Sequence, residues 1–288
     1  MDRTLSEQIG LVFRELNNLG IGIKPGSRLD VLARVFRSED GSSTMTVPIA
    51  DHRRFKLALE ALREFRLFEF ILDPWEFGTE TVALEKLRVA ALKDHPLQYA
   101  QRRHETKGRD TQVELFIATA FRRTGACADL VRPPAGTKYP DIRTRACNRY
   151  FFIEAKRAKS RSAVVGAIAD AVEQVNATGC PGAAFVDMTM AFNEEDHPAN
   201  EHLRRSDVQL IHRAWLQGQF EPLRTEVDSI ISGSRLTSIF FQNHLLIPID
   251  GSVELHSTIL TYPERVTGRY AREDRDIRRS LDLGWTRR

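Results

Sequence analysis

Apolar residues recur at helical spacing through the first hundred positions. Leu5, Ile9, Val12, Phe13 and Leu16 share one face, and Gly20 stands where that helix would stop. Gly26-Ser27 precede a second helix through Leu29, Leu32, Val35 and Phe36. A long helix is predicted from Asp51 to Phe68, with Phe55, Leu59, Leu62 and Phe65 on one face and Asp73-Pro74 as its break. A fourth runs from Thr81 to Leu92 and ends before His95-Pro96. The polar, basic stretch Gln101–Asp110, which contains Gly108, is the expected linker.

Beyond it the period changes. A helix over 111–124 ends at Gly125, and strand-like runs follow at 127–132, 138–145 and 149–157. A helix over 162–177 stops at Gly179, and a strand follows at 183–190. The predicted order is α-β-β-β-α-β. A polar loop (193–202), helical stretches to about 232 and a strand pair at 237–247 and 253–261 complete it. The expected organisation is an all-α N-terminal domain over 1–105, an α/β domain over 106–262, and a charged C-terminal tail over 263–288, helical or loose.

Composition narrows the class. With 288 residues, 42% hydrophobic and 28% charged, the chain is neither collagen-like nor disordered. Three cysteines, Cys127, Cys147 and Cys180, without CxxC spacing exclude a disulfide framework and suggest a reducing compartment. No apolar run reaches the ~18 residues of a membrane span, and no apolar segment follows Met1-Asp2-Arg3-Thr4. A cytoplasmic protein without membrane partners is expected. Net charge is only +3, but residues 101–160 carry 14 Lys/Arg against 6 Asp/Glu. Such a basic segment is either a polyanion surface or a solvated charged face.

The chemistry concentrates in Tyr139-Pro140-Asp141-Ile142 and Phe151-Phe152-Ile153-Glu154-Ala155-Lys156-Arg157. Strand alternation puts Glu154 and Lys156 on one face and Phe151, Ile153 and Ala155 on the other. A hairpin turn centred on Cys147-Asn148 pairs Ala146 with Arg149. That register sets Asp141 opposite Glu154 and Tyr139 opposite Lys156. Two facing carboxylates need a cation, which Lys156 or a divalent metal would supply. A metal beside a lysine suits phosphodiester hydrolysis. The alternative is an exposed hairpin with a surface Glu–Lys pair.

Pro-Asp, a twelve-residue gap and Glu-Ala-Lys resemble the PD-(D/E)XK motif of restriction-endonuclease-like nucleases. The resemblance covers about residues 107–192. It implies a restriction-endonuclease-like α/β core with a mixed central sheet flanked by helices. It further implies that Asp141, Glu154 and the Ala155 carbonyl hold Mg²⁺, with Mn²⁺ as substitute, and that Lys156 is the catalytic lysine. The implied reaction is hydrolysis of nucleic acid, DNA ahead of RNA, in restriction, phage defence or DNA processing. A homodimer, or a partner subunit docked on the helical N-terminal domain, would fit that role. A non-catalytic nucleic-acid-binding or scaffold subunit of the same fold is the alternative.

Glu114 matches a first-helix glutamate that aids metal binding in that superfamily. Thr111-x-x-Glu114 is equally a capping box. Gln174, beside the stripe Val164, Ile168, Ala171 and Val175, matches a helix glutamine of some branches, but Thr178 stands where their tyrosine would be. A solvent-facing role is its other reading. Arg157 and Lys159 are either phosphate contacts or a charged rim. Asp187 either points to the site or caps a strand. Asp196, His197, Glu201 and His202 match no zinc spacing. No GxxxxGK[ST], HExxH or GxSxG is present.

Overall fold

The computed structural model describes residues 5–36, 52–94, 107–133, 136–192, 205–249 and 252–286. The chain divides into two compact units, Met1–Phe116 and Ile117–Arg288. No helix among the described residues is long and apolar enough to cross a membrane. The loop over 193–202, with Asp196, His197, Glu201 and His202, lies outside the described residues.

The first unit is helical. α1 (Leu5–Asn18), α2 (Arg28–Arg34), α3 (His52–Leu72) and α4 (Thr81–Leu92) follow the apolar spacing, and Gly20, at φ 71°, turns the chain after α1. Val12, Leu16, Leu29, Leu32, Phe65 and Phe68 are fully buried and form its core. Two acidic side chains of α3 are also buried. Glu60 and Glu64, one turn apart, receive Arg109 at 2.8 and 3.9 Å, and Arg28 reaches Glu64 at 3.4 Å. Arg28 also donates to the Ala90 carbonyl (2.8 Å) and to Gln112 Oε1 (2.9 Å). Each of these buried charges thus has an opposite charge within reach, the condition under which burial is tolerated.

α5 (Lys107–Arg122) begins four residues earlier than the apolar pattern predicts. The residues 107–110 assigned to a linker form its first turn. Gly108 marks a close approach: a Cβ there would lie 2.9 Å from the Lys93 carbonyl and 3.0 Å from Asp94 Oδ2. The division between the units falls within α5.

The second unit carries a six-stranded sheet in the order β1 (Ala128–Leu130), β2 (Ile142–Ala146), β3 (Arg149–Arg157), β4 (Gly182–Asp187), β5 (Leu236–Ile249) and β6 (Ser252–Tyr262). It is mixed: β3-β4 and β4-β5 are parallel, and the other pairs antiparallel. α6 (Arg161–Ala177) is the crossover between the parallel β3 and β4. The order α5-β1-β2-β3-α6-β4 is therefore the α-β-β-β-α-β of the sequence pattern. Strand β2 is shorter than expected. Residues 138–141 are not strand, and Pro140, which has no N–H for the ladder, sits among them.

α7 (Arg205–Phe220), a 3₁₀ turn (Glu221–Leu223) and α8 (Arg224–Ile231) precede β5. Val164, Ile168, Ala171 and Val175 of α6 pack with Leu216, Phe220 and Val227 against Ala184, Val186, Ile239 and Phe241. The charged C-terminal stretch is α9 (Ala271–Thr286), with Ile277 and Leu281 buried. Asp274 and Arg278 pin α9 to β5: Thr237 and Ser238 donate to Asp274, and Arg278 donates to Asp274 at 2.6 Å and to Ser238 at 2.7 Å.

Candidate active site

The hairpin places the site. Cys147 and Asn148 have φ of 48° and 64°, the two left-handed residues of a type I′ turn, and Ala146 pairs with Arg149. The turn is tied to α9, because Asp276 accepts from the Cys147 amide (3.2 Å) and thiol (2.9 Å). The ladder ends at Ile142–Ile153, so Asp141 and Glu154 occupy the next step beyond it. The Val131 amide donates to the Asp141 carbonyl at 2.7 Å, which fixes the backbone there. The Asp141 carboxylate in turn accepts from the Ala155 amide at 3.0 Å.

Glu154 is 2% exposed. Burial, and then the neighbouring Asp141 carboxylate, raise its pKa from 4.5 to about 8, against the opposing pull of Lys156. Its Oε2 is buried and receives no hydrogen bond. Lys156 Nζ lies 2.5 Å from Glu154 Oε1 and donates to Gln174 Oε1 at 2.7 Å. The Gln174 amide donates its other end to the Tyr139 carbonyl at 3.2 Å. Tyr139 itself packs edge-on against Phe152, with ring centroids 5.4 Å apart.

Asp141, Glu154, Lys156 and Gln174 are thus brought together on the sheet face that α6 covers. Gln174 is half-buried and engaged by Lys156 and the Tyr139 carbonyl instead of turned to solvent. The apolar stripe of α6 places Gln174 only on its flank, and the contact with Lys156 follows from how α6 is rotated over β3. The signal present in the sequence is parity: Lys156 shares a face with Glu154, and that is the face α6 packs on.

The remaining candidates have other surroundings. Glu114 is on the part of α5 that belongs to the first unit, where it pairs with Lys86. The capping-box reading is corrected: Thr111 is inside α5, and its hydroxyl donates to the Lys107 carbonyl at 2.7 Å. Arg157 is not part of a charged rim. Its side chain is 5% exposed, faces the opposite side of the sheet, and donates to Asp187 at 3.0 Å. Asp187 also accepts from the Thr189 amide. Burial alone would raise the Asp187 pKa, but Arg157, His244 and Thr189 hold it below the usual carboxylate value. The polar row continues through Gln242, paired with Asp187 across the ladder, and His244, whose Nδ1 is 2.6 Å from Ser257 Oγ. Strand alternation separates Arg157 from Lys156; the burial of Arg157 depends on the β4 register. Lys159 is exposed beyond the end of β3.

Among the described residues no group of three or more His, Cys, Asp or Glu side chains is placed to hold a metal. The Asp141–Glu154 pair fits a cation on chemical grounds. It sets a buried Glu154 oxygen that receives no hydrogen bond beside a second carboxyl group, and Mg²⁺ needs only one or two protein carboxylates beside waters and substrate phosphate. Comparison with known families and with curated proteins finds no match for this chain.

Proposed function

We propose that the chain is a metal-dependent nuclease of the PD-(D/E)XK type, built on a restriction-endonuclease-like core and cleaving nucleic acid, DNA in preference to RNA. The observation that carries the reading is the convergence of Asp141, Glu154 and Lys156 at one end of the hairpin, with a buried Glu154 oxygen left unsatisfied.

In this reading Asp141, Glu154 and the Ala155 carbonyl would hold Mg²⁺, or Mn²⁺ in its place. The ion would polarise a phosphate and lower the pKa of a bound water. Lys156 holds a positive charge beside the carboxylates, where it orients the attacking water and stabilises charge developing on the phosphate. Gln174 fixes the Lys156 ammonium through one amide oxygen and is itself fixed by the Tyr139 carbonyl. Water is the nucleophile, so the chain needs no covalent intermediate.

A second reading has one observation in its favour. Lys156 already pairs with Glu154. A non-catalytic nucleic-acid-binding or scaffold subunit would use that pair as structure and would bind no metal. Titration with Mn²⁺, followed by electron paramagnetic resonance and calorimetry, separates the two. The nuclease reading predicts a site in the wild type that is lost in Asp141→Asn and in Glu154→Gln, both still folded by circular dichroism. Equal Mn²⁺ uptake by all three proteins, or none by the wild type, would favour the scaffold.

A further inference from the structure

The β2–β3 hairpin presents a second feature on the same sheet face as Glu154 and Lys156. The ladder sets Arg145 opposite Tyr150 and Arg143 opposite Phe152, so Arg143, Arg145, Tyr150, Phe152, Glu154 and Lys156 all point to one side. Tyr150 is 44% exposed, one of two large hydrophobic side chains left so among the described residues. Both guanidinium groups lie against its ring, Arg143 at 5.2 Å and Arg145 at 5.3 Å from the centroid. Arg143 is anchored by Asp129 at 2.8 Å, an exposed pair that costs little to rearrange. Cys127, Asp129, Thr144 and these three residues line a shallow open pocket of about 190 Å³. Four residues of extended strand, about 13 Å, separate Tyr150 from Glu154.

We propose that this Arg143–Tyr150–Arg145 stack is a platform for single-stranded nucleic acid that leads the strand to the Glu154–Lys156 site. An unpaired base adds one more plane to an aromatic–guanidinium stack, and the remaining guanidinium donors reach the adjacent phosphates. A duplex keeps its base faces stacked inside the helix and offers only its backbone, so the platform favours single strands over duplex. The proposal deepens the nuclease reading and rests on it for the meaning of the neighbouring site. The binding claim is tested apart from cleavage.

The test is fluorescence anisotropy in EDTA, where no metal-dependent cutting occurs. The probes are a fluorescein-labelled 12-nucleotide mixed-sequence DNA strand, the same strand as RNA, and its blunt DNA duplex. Wild type is compared with Tyr150→Ala, Tyr150→Phe and Arg145→Ala, each checked for its melting temperature. The expected result is tighter binding of either single strand than of duplex. Tyr150→Ala weakens single-strand binding at least about fivefold, and Tyr150→Phe retains it. Arg145→Ala lowers the salt slope of single-strand binding by about 0.7. Equal affinity for duplex and single strand would overturn the proposal. So would a Tyr150→Ala protein that binds like the wild type, which would mean an electrostatic contact without stacking. A stacking-dependent single-strand affinity in a protein that never cleaves would uphold the platform and sink the nuclease reading alone.

Discussion

Glu154 sits in surroundings that oppose its ionisation. It is buried beside a second carboxylate and is held in the protonated form to about pH 8. The sign of the consequence follows from linkage. In the unfolded chain Glu154 ionises near its ordinary 4.5; in the folded chain it keeps its proton to about 8. The metal-free protein therefore loses stability as pH rises between those values, and the loss levels off above 8. Glu154→Gln removes the titration. In EDTA its denaturant midpoint should match the wild type near pH 5 and exceed it near pH 8; parallel curves across that range would mean Glu154 is ionised throughout. Three of the site residues were legible at this scale. Alternation set Glu154 and Lys156 on one face, and the Cys147-Asn148 turn fixed the register that brings Asp141 beside them. Gln174 and Arg157 were not legible. Their partners, Lys156 and Asp187, come from helix rotation and β4 register, which no local pattern encodes.

At the scale of elements, the apolar periods found nearly every helix and strand, and the misses have local causes. The Thr111-x-x-Glu114 signal suggested a helix start that tertiary contacts override. Gly108 lets α5 begin against the end of α4, and Arg109 drives its first turn into the buried carboxylates of α3. Gly182 is the same kind of position in the second unit. A Cβ there would meet the Phe152 carbonyl at 2.5 Å and Val175 Cγ1 at 2.8 Å, so glycine lets α6 and β3 close around the start of β4. Gly182→Ala must move the β3 backbone two residues from Glu154. It should cost about 1–3 kcal/mol in chemical denaturation. An unchanged midpoint would mean that the α6–β3 contact is looser than these distances state.

For the whole molecule, the sheet brings the proposed active site and the proposed strand platform to one face. Its parallel pair, β3 and β4, carries α6 over Glu154 and Lys156, and its antiparallel hairpin extends the same face to Tyr150. The basic excess of residues 101–160 reads, from sequence alone, as either a polyanion surface or a solvated charged face. Part of that excess is used internally: Arg109 and Arg157 are buried in ion pairs, while Arg143 and Arg145 stay exposed on the hairpin. Charge counting could not separate the two groups, because it does not know which strand face is covered. The nuclease reading is decided by cleavage of a panel of supercoiled and linear duplex DNA, single-stranded DNA and RNA. It is run with Mg²⁺, with Mn²⁺ and with EDTA, on wild type and Lys156→Ala. The expected result is metal-dependent cutting by the wild type, strongest on single strands, and a loss of at least about 100-fold in Lys156→Ala. Wild type and Lys156→Ala equally inert on every substrate, or equally active, would contradict it.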